Sequence, residues 1–114
     1  MKAIRNLGAS VPNSAAGKKP PSGPNALSQR RIAVAIVDDH ERAHLLIQAI
    51  LAETQDFRWV ASYFSGEAAL MGIRQSCAQI VLMDVKMPGM SGIECTRRLK
   101  ALLPRLIIVI DGTS

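Results

Sequence analysis

The sequence lacks several features that would place it in a large structural class. No run of 18 apolar residues occurs among its 114 positions, so we expect no membrane association. The basic start is not followed by the apolar segment that a secretory signal requires. The only two cysteines, Cys77 and Cys95, do not form a CxxC pair. Two separate thiols are typical of a reducing compartment, and we therefore expect a cytoplasmic protein without a disulfide framework.

Acidic residues are absent from the first 30 positions, and this absence accounts for the whole net charge of +5. Residues 31–114 carry nine basic and nine acidic side chains, so the remainder of the chain is neutral. Residues 8–28 are rich in Gly, Pro, Ser, Asn and Ala and show no apolar period. We therefore predict a disordered basic tail over 1–30 and a domain over 31–114. The tail fits non-specific attraction to polyanions, and its composition also leaves an organelle-targeting segment open.

Short apolar, β-branched runs alternate with helical patterns along the domain. The runs predict strands over 32–37, 57–61, 80–83 and 106–110. The segments between them predict helices over 42–52, 66–75 and 91–103. The first helix shows Leu45/Ala49 and Leu46/Ile50 at i,i+4 spacing; Ser65 and the Ser91-x-x-Glu94 pattern predict the N-termini of the other two. The order β-α-β-α-β-α-β predicts an α/β fold, an open parallel sheet with right-handed crossovers.

Aspartates follow two of these strands directly. Asp38 and Asp39 end the first strand, and Asp84 ends the third. Ligands of open α/β sheets bind beyond the carboxyl ends of the strands, so neighbouring strands would bring the three carboxylates to one rim. Converging carboxylates need a counterion, and Mg²⁺ takes oxygen ligands of this kind. A carboxylate beside such a metal is also a nucleophile toward phosphorus, whereas isolated acids at strand ends are often only solvated or capping residues.

The segments IAVAIVDDHE and IVLMDVKMPGMSGIE resemble the receiver domain of bacterial two-component response regulators, and the DDHE form is most similar to the LuxR/NarL-like branch. The resemblance covers about residues 31–110 and implies a flavodoxin-like, doubly wound parallel sheet. It implies that Asp84 is the phosphoacceptor and that Asp38, Asp39, Asp84 and the backbone carbonyl of Lys86 hold Mg²⁺. Met87, Pro88 and Gly89 would then form the loop beside the site, and Gly92 the close turn into the next helix.

The function implied by this resemblance is phosphorelay signalling, in which a sensor histidine kinase transfers a phosphoryl group to Asp84. The protein is then a signalling module and not an enzyme with turnover. The family also implies a homodimer as an available assembly, whereas no effector DNA-binding domain follows within the 114 residues. His40 and His44 have no part in this chemistry: we expect His40 at the rim near the helix start and His44 facing solvent.

Two family features are altered or absent. The family ends its fourth strand with Thr or Ser, which follows the phosphoryl group when the domain switches, whereas this strand ends in Asp111. The family also has a fifth strand that ends in a Lys, followed by a final helix, and no residues are present to supply them. We therefore expect an incomplete receiver, a fragment or an early-ending product, that is marginally stable and leaves the fourth strand as an uncovered apolar edge.

Three further functions compete with the phosphoacceptor. A degenerate receiver that is not phosphorylated, an interaction module or a non-functional fragment, is favoured by Asp111 and by the missing Lys. A Mg²⁺-dependent phosphohydrolase with an Asp nucleophile usually has a second Asp two residues later, where this sequence has Lys86. Sequence-specific DNA binding is disfavoured because no helix-turn-helix is present and the excess positive charge lies in the tail.

Overall fold

The computed structural model describes residues 30–111, so the predicted tail, apart from Arg30, lies outside the described residues. Seven elements follow one another in the predicted order, each within two residues of its expected ends. Their bounds are β1 Ile32–Val37, α1 Glu41–Ala52, β2 Phe57–Tyr63, α2 Gly66–Ser76, β3 Ile80–Asp84, α3 Gly92–Leu102 and β4 Ile107–Asp111.

The four strands form one parallel sheet in the order β2-β1-β3-β4. The chain moves outward from β1 to β2 and then returns past β1 to β3 and on to β4. Because crossovers between parallel strands are right-handed, this reversal places α1 on one face and α2 and α3 on the other. The reversal lies between β1 and β3, which are neighbours in the sheet, and ligands of such sheets bind at this point.

The interior strand β1 is apolar at every position because the sheet is covered on both faces around it. Residues 33–37 are at most 2% exposed. Alternate side chains face opposite sides, and one side forms the main core, in which Ala35 and Val37 pack with residues of β3, α2, α3 and the loops that flank α3. The members of that core outside β1 are Ala69, Ile73, Val81, Met83, Met87, Cys95, Leu99 and Leu106.

Serine side chains begin α2 and α3, as the sequence predicts. The Ser65 hydroxyl accepts a hydrogen bond from the Ala68 amide at 3.0 Å, and the Ser91 hydroxyl accepts one from the Glu94 amide at 3.2 Å. Only half of the expected capping box forms, because the Glu94 carboxylate turns to Arg97 and Arg98 instead, with N–O distances of 2.6 Å to each. These two guanidinium groups lower the pKa of Glu94 to about 2.

Helix α1 is rotated relative to the expectation from its apolar spacing. Leu45, Leu46 and Ile50 are 55–63% exposed, and the buried side of the helix consists of His44 and Leu51. The i,i+4 pairs of the sequence therefore face away from the sheet, and the expectation that His44 faces solvent is wrong. Only three residues connect β1 to α1, and the helix that follows this short connection turns positions 44 and 51 inward.

Strand β4 forms one edge of the sheet in the described part of the chain, and it exposes apolar surface as expected. Ile107, Val109 and Ile110 are 42–56% exposed, while Ile108 packs on the main core. Within residues 30–111, no helix has the length and apolar character needed to cross a membrane.

Candidate functional site

The carboxyl ends of β1 and β3 carry a cluster of titratable side chains. Asp38 and Asp39 follow β1, His40 is the N-cap of α1, and Asp84 is the last residue of β3. One ligand atom from each of these four residues lies within 4.8 Å of the other three. The structure thus brings the three predicted aspartates together, because Val37 of β1 is the register partner of Met83, the residue before Asp84 in β3.

Asp84 is the most buried acid of the cluster, with 6% exposure. Burial is the largest influence on its pKa and raises it above the ordinary value, and the negative charge of Asp38 raises it further. The Lys86 amide donates a hydrogen bond to Asp84 Oδ1 at 3.3 Å, which partly offsets this effect. A buried carboxylate with like charges beside it is destabilised in its ionised form, so the site favours any cation that enters it.

His40 lies at the rim, as the sequence predicts, with its imidazole largely exposed. Its Nδ1 is 3.0 Å from Asp38 Oδ1 and 3.2 Å from Asp39 Oδ1. The hydrogen bond to Asp38 and the charge of Asp39 raise the pKa of His40. The Asp38 carboxylate also accepts a hydrogen bond from the His40 amide at 2.9 Å, which fixes the first turn after β1.

The donor set of the cluster fits Mg²⁺, which prefers oxygen ligands. Asp39 Oδ1 is buried and, within the described residues, accepts no hydrogen bond of good geometry. Its one close ion-pair partner in the described residues is the exposed His40 imidazole at 3.2 Å, and a divalent cation is the kind of partner that would compensate the buried charge more fully. Asp38, Asp39 and Asp84 would supply side-chain oxygens, and the Lys86 carbonyl follows two residues after Asp84.

The segment after Asp84 forms a compact loop that is tied to α2 and α3. Met87 is 8% exposed and packs in the main core, whereas Pro88 and Gly89 lie on the surface. Gly89 has a φ of 76°, a conformation that favours glycine. The next amide, that of Met90, donates a hydrogen bond to Glu67 Oε2 of α2 at 3.3 Å. No sequence signal marked this contact, because the two residues meet only through the packing of α2 against the loop.

Gly92 is needed where α3 begins directly beneath the end of β3. Its amide donates a hydrogen bond to the Val85 carbonyl at 2.8 Å. A Cβ at this position would lie 2.0 Å from the Asp84 carbonyl oxygen and 2.7 Å from Val85 Cα. The close turn that the family resemblance implies at Gly92 therefore has a steric cause.

Asp111 ends β4 beside the site. It is the register partner of Asp84 in the parallel pair β3–β4, and its carbonyl accepts a hydrogen bond from the Val85 amide at 3.4 Å. Both aspartates therefore lie at the same level of the sheet.

His44 lies next to the site and is buried, whereas the sequence led us to expect it in solvent. Its imidazole is 1% exposed, and its Nε2 lies 2.6 Å from the Asp38 carbonyl oxygen. The ring stacks against Phe64, with centroids 4.1 Å apart and an interplanar angle of 30°. The interaction partner is a backbone carbonyl, which no side-chain pattern in the sequence reveals.

A parallel α/β sheet with aspartates at the carboxyl ends of two interior strands defines a receiver-type domain. Comparison with known proteins agrees: the profile of the family described as response regulator receiver domain matches residues 34–113. The chain belongs to this family. It is 40% identical over 78 residues to the response regulator GacA of Pseudomonas protegens, a match that covers 68% of this chain and 37% of GacA.

Other relatives give the same assignment. The chain is 38% identical over 68 residues to the response regulator UvrY of Escherichia coli K12, covering 60% of this chain and 31% of UvrY. It thus spans about a third of the length of these curated relatives. Family membership assigns the chain to two-component signalling.

Solved receiver structures share the fold. The non-phosphorylated receiver domain of RcsB from Escherichia coli superposes with a TM-score of 0.69 at 23% identity, covering 74% of this chain and 66% of that one. The response regulator domain of CheB from Thermotoga maritima gives a TM-score of 0.66 at 26% identity, covering 75% and 64%. The predicted flavodoxin-like α/β fold is therefore confirmed.

Proposed function

We propose that this domain receives a phosphoryl group on Asp84 from the phosphohistidine of a sensor histidine kinase, with Mg²⁺ bound by Asp38, Asp39, Asp84 and the Lys86 carbonyl. The observation that carries the proposal is the cluster at the ends of β1 and β3, with its ligand atoms within 4.8 Å of one another. A structural role alone does not account for three carboxylates at this distance, because their mutual repulsion opposes folding.

In the proposed reaction, a carboxylate oxygen of Asp84 attacks the phosphorus of the phosphohistidine. A P–O bond forms, the P–N bond breaks, and the departing imidazole keeps the electron pair of that bond. The hydrogen bond from the Lys86 amide orients the Asp84 carboxylate at 3.3 Å. When bound, Mg²⁺ supplies neutralisation of the negative charge on the transferred group. The domain acts as acceptor and is consumed in the step, so we assign it no turnover activity.

The experiment is phosphorylation of the full chain by acetyl phosphate with Mg²⁺, followed by intact-mass spectrometry. We expect addition of one phosphoryl group to the wild type, and no addition when the metal is chelated beforehand or when Asp84→Asn is used. Asp56→Asn is the matched control, because Asp56 is an acid at the opposite end of the sheet, where its carbonyl bonds to the first residue of β1. Equal labelling of Asp84→Asn and of the wild type would refute the assignment of the acceptor.

A second candidate function is a receiver that binds partners without being phosphorylated. Asp111 favours it, because a further negative charge beside Asp84 opposes the approach of a phosphoryl group. The two functions are separated by a beryllofluoride titration of ¹⁵N-labelled protein. Shifts of the Val85 and Lys86 amides support the phosphoacceptor, while an unchanged spectrum at a saturating concentration supports the interaction module. Faster labelling of Asp111→Asn by acetyl phosphate would show that the charge at this position restrains the reaction.

A further inference from the structure

His44 is a buried polar residue for which packing alone gives no reason. It is one of two buried polar or charged residues in the described part of the chain, the other being Asp84. Its Nδ1 is buried and has no hydrogen-bond partner within the described residues. An unpaired buried nitrogen costs about 1–3 kcal/mol. A leucine here would fill the space between helix and sheet without that cost.

The second ring nitrogen has a close partner. Nε2 lies 2.6 Å from the carbonyl oxygen of Asp38. A carbonyl oxygen only accepts hydrogen bonds, so Nε2 carries the hydrogen and donates it. The Phe64 ring, at 4.1 Å between centroids, holds the imidazole plane from the side of β2. The direction of the Nε2–H group is therefore set by the packing of α1 against the end of β2.

The peptide group that receives this hydrogen bond connects two residues of the acidic cluster. The Asp38 amide donates to the Tyr63 carbonyl at 3.1 Å, and the Asp38 carbonyl accepts from His44. The backbone of Asp38 is thereby held on both sides. Rotation of the 38–39 peptide would carry the Asp39 carboxylate away from Asp84. Mg²⁺ requires a near-ideal octahedral arrangement of its ligands, so the orientation of this peptide affects its affinity.

We propose that His44 is a positioning residue: it donates a hydrogen bond from Nε2 to the Asp38 carbonyl and so fixes the direction in which Asp39 presents its carboxylate to the metal. This inference rests on the proposed function, since it requires that the cluster binds a divalent cation. The buried face of α1 would thus orient the Asp38–Asp39 backbone, although it supplies no metal ligand itself.

Two substitutions test the proposal in the full chain. His44→Leu keeps an apolar side chain and removes the donor, whereas His44→Gln places an amide Nε2–H near the position of the imidazole Nε2–H. Binding of Mn²⁺, a paramagnetic probe for the same site, is measured by electron paramagnetic resonance, with Mg²⁺ as competitor. We expect His44→Leu to weaken Mn²⁺ binding about tenfold, the effect of one hydrogen bond, and His44→Gln to restore most of the affinity.

If His44 only stabilised the fold, the affinity for Mn²⁺ would fall together with the stability. His44→Leu loses the hydrogen bond to Asp38 but also removes the unpaired Nδ1, and these two effects are each about 1 kcal/mol and oppose each other. The urea midpoint should therefore stay close to that of the wild type, and a loss of affinity without a loss of stability supports positioning. Equal affinity of His44→Leu and wild type would overturn the inference. Affinity and stability that fall together in both variants would also overturn it.

A metal-free measurement separates this inference from the proposed function. In EDTA, the hydrogen-bonded Asp38 and His40 amides of ¹⁵N-labelled His44→Leu should exchange with solvent faster than in wild type, with His44→Gln close to wild type. If the wild type binds no Mn²⁺, the proposed metal site fails, and the exchange rates alone decide whether His44 orders the Asp38–Asp39 backbone. Unchanged exchange in His44→Leu would count against it in either case.

Discussion

Replacement of Gly92 by alanine is the most direct test of how α3 is attached to the site. The added Cβ would lie 2.0 Å from the Asp84 carbonyl oxygen, while ordinary contacts begin at 3.4 Å. The other close atoms are also backbone, Val85 Cα at 2.7 Å and the Asp84 carbonyl carbon at 2.8 Å. A rotamer change cannot relieve such a contact, so the first turn of α3 has to move away from the end of β3 by more than an ångström.

The cost follows from two contributions. Overpacking that requires a backbone shift costs about 1–3 kcal/mol, and loss of the 2.8 Å hydrogen bond from the Gly92 amide to Val85 adds about 1 kcal/mol. We therefore expect Gly92→Ala to lower the free energy of unfolding by about 2–4 kcal/mol. In a domain of this size, that corresponds to a fall in Tm on the order of 10–30 °C.

Gly72→Ala is the matched control, because Gly72 is also helical but its added Cβ would meet a side chain. The closest atom is Cε1 of Tyr63 at 2.6 Å, and the other near atoms belong to the same ring. That ring can move, and alanine is favoured over glycine inside a helix by about 1 kcal/mol. Urea unfolding followed by circular dichroism compares the two variants. The steric argument is refuted if Gly92→Ala is as stable as Gly72→Ala.

Three further predictions concern charge, packing and thiol reactivity. Because burial and the charge of Asp38 raise the pKa of Asp84, its ionised form opposes folding at neutral pH and this penalty is lost as the pH falls. Asp84→Asn should therefore be more stable than the wild type in EDTA at neutral pH, and urea unfolding at decreasing pH should show the difference closing; a constant difference would contradict this cause. Leu99 is fully buried, so Leu99→Ala should lower the free energy of unfolding by about 2–5 kcal/mol in the same assay, and a loss below 1 kcal/mol would contradict its place in the core. Cys77 is exposed, whereas Cys95 is buried and burial raises its pKa to about 11. A disulfide reagent should therefore modify Cys77 at once and Cys95 only after unfolding. Rapid modification of both thiols in the folded protein would contradict the burial of Cys95.

The strands and helices were predictable because local signals agree with one another. β-Branched runs such as 32–37 end at polar residues, and Ser65 and Ser91 stand where α2 and α3 begin. The meeting of Asp38, Asp39 and Asp84 followed from the same signals, since parallel strands end at one edge of the sheet. These parts of the fold are encoded within short segments of the chain.

The remaining features depend on packing between segments that are distant in sequence. The apolar spacing of α1 fits two different helix faces, and only the short connection from β1 selects the face with His44. The hydrogen bond from the Met90 amide to Glu67 depends on how α2 approaches the loop after β3. Neither this hydrogen bond nor the one between His44 and the Asp38 carbonyl has a sequence signature, because one partner in each is a backbone group.

The order of the strands has a consequence for local unfolding. β1 and β3 are hydrogen-bonded on both sides, whereas β2 and β4 are each hydrogen-bonded to a single neighbouring strand in the described sheet. Strands paired on both sides open only with the whole domain, and outer strands open at lower free energy. The aspartates at the ends of β1 and β3 thus follow the two strands of the described sheet that we expect to exchange most slowly. Asp111 lies on an outer strand, which we expect to open at lower free energy than the two strands that carry the acidic cluster.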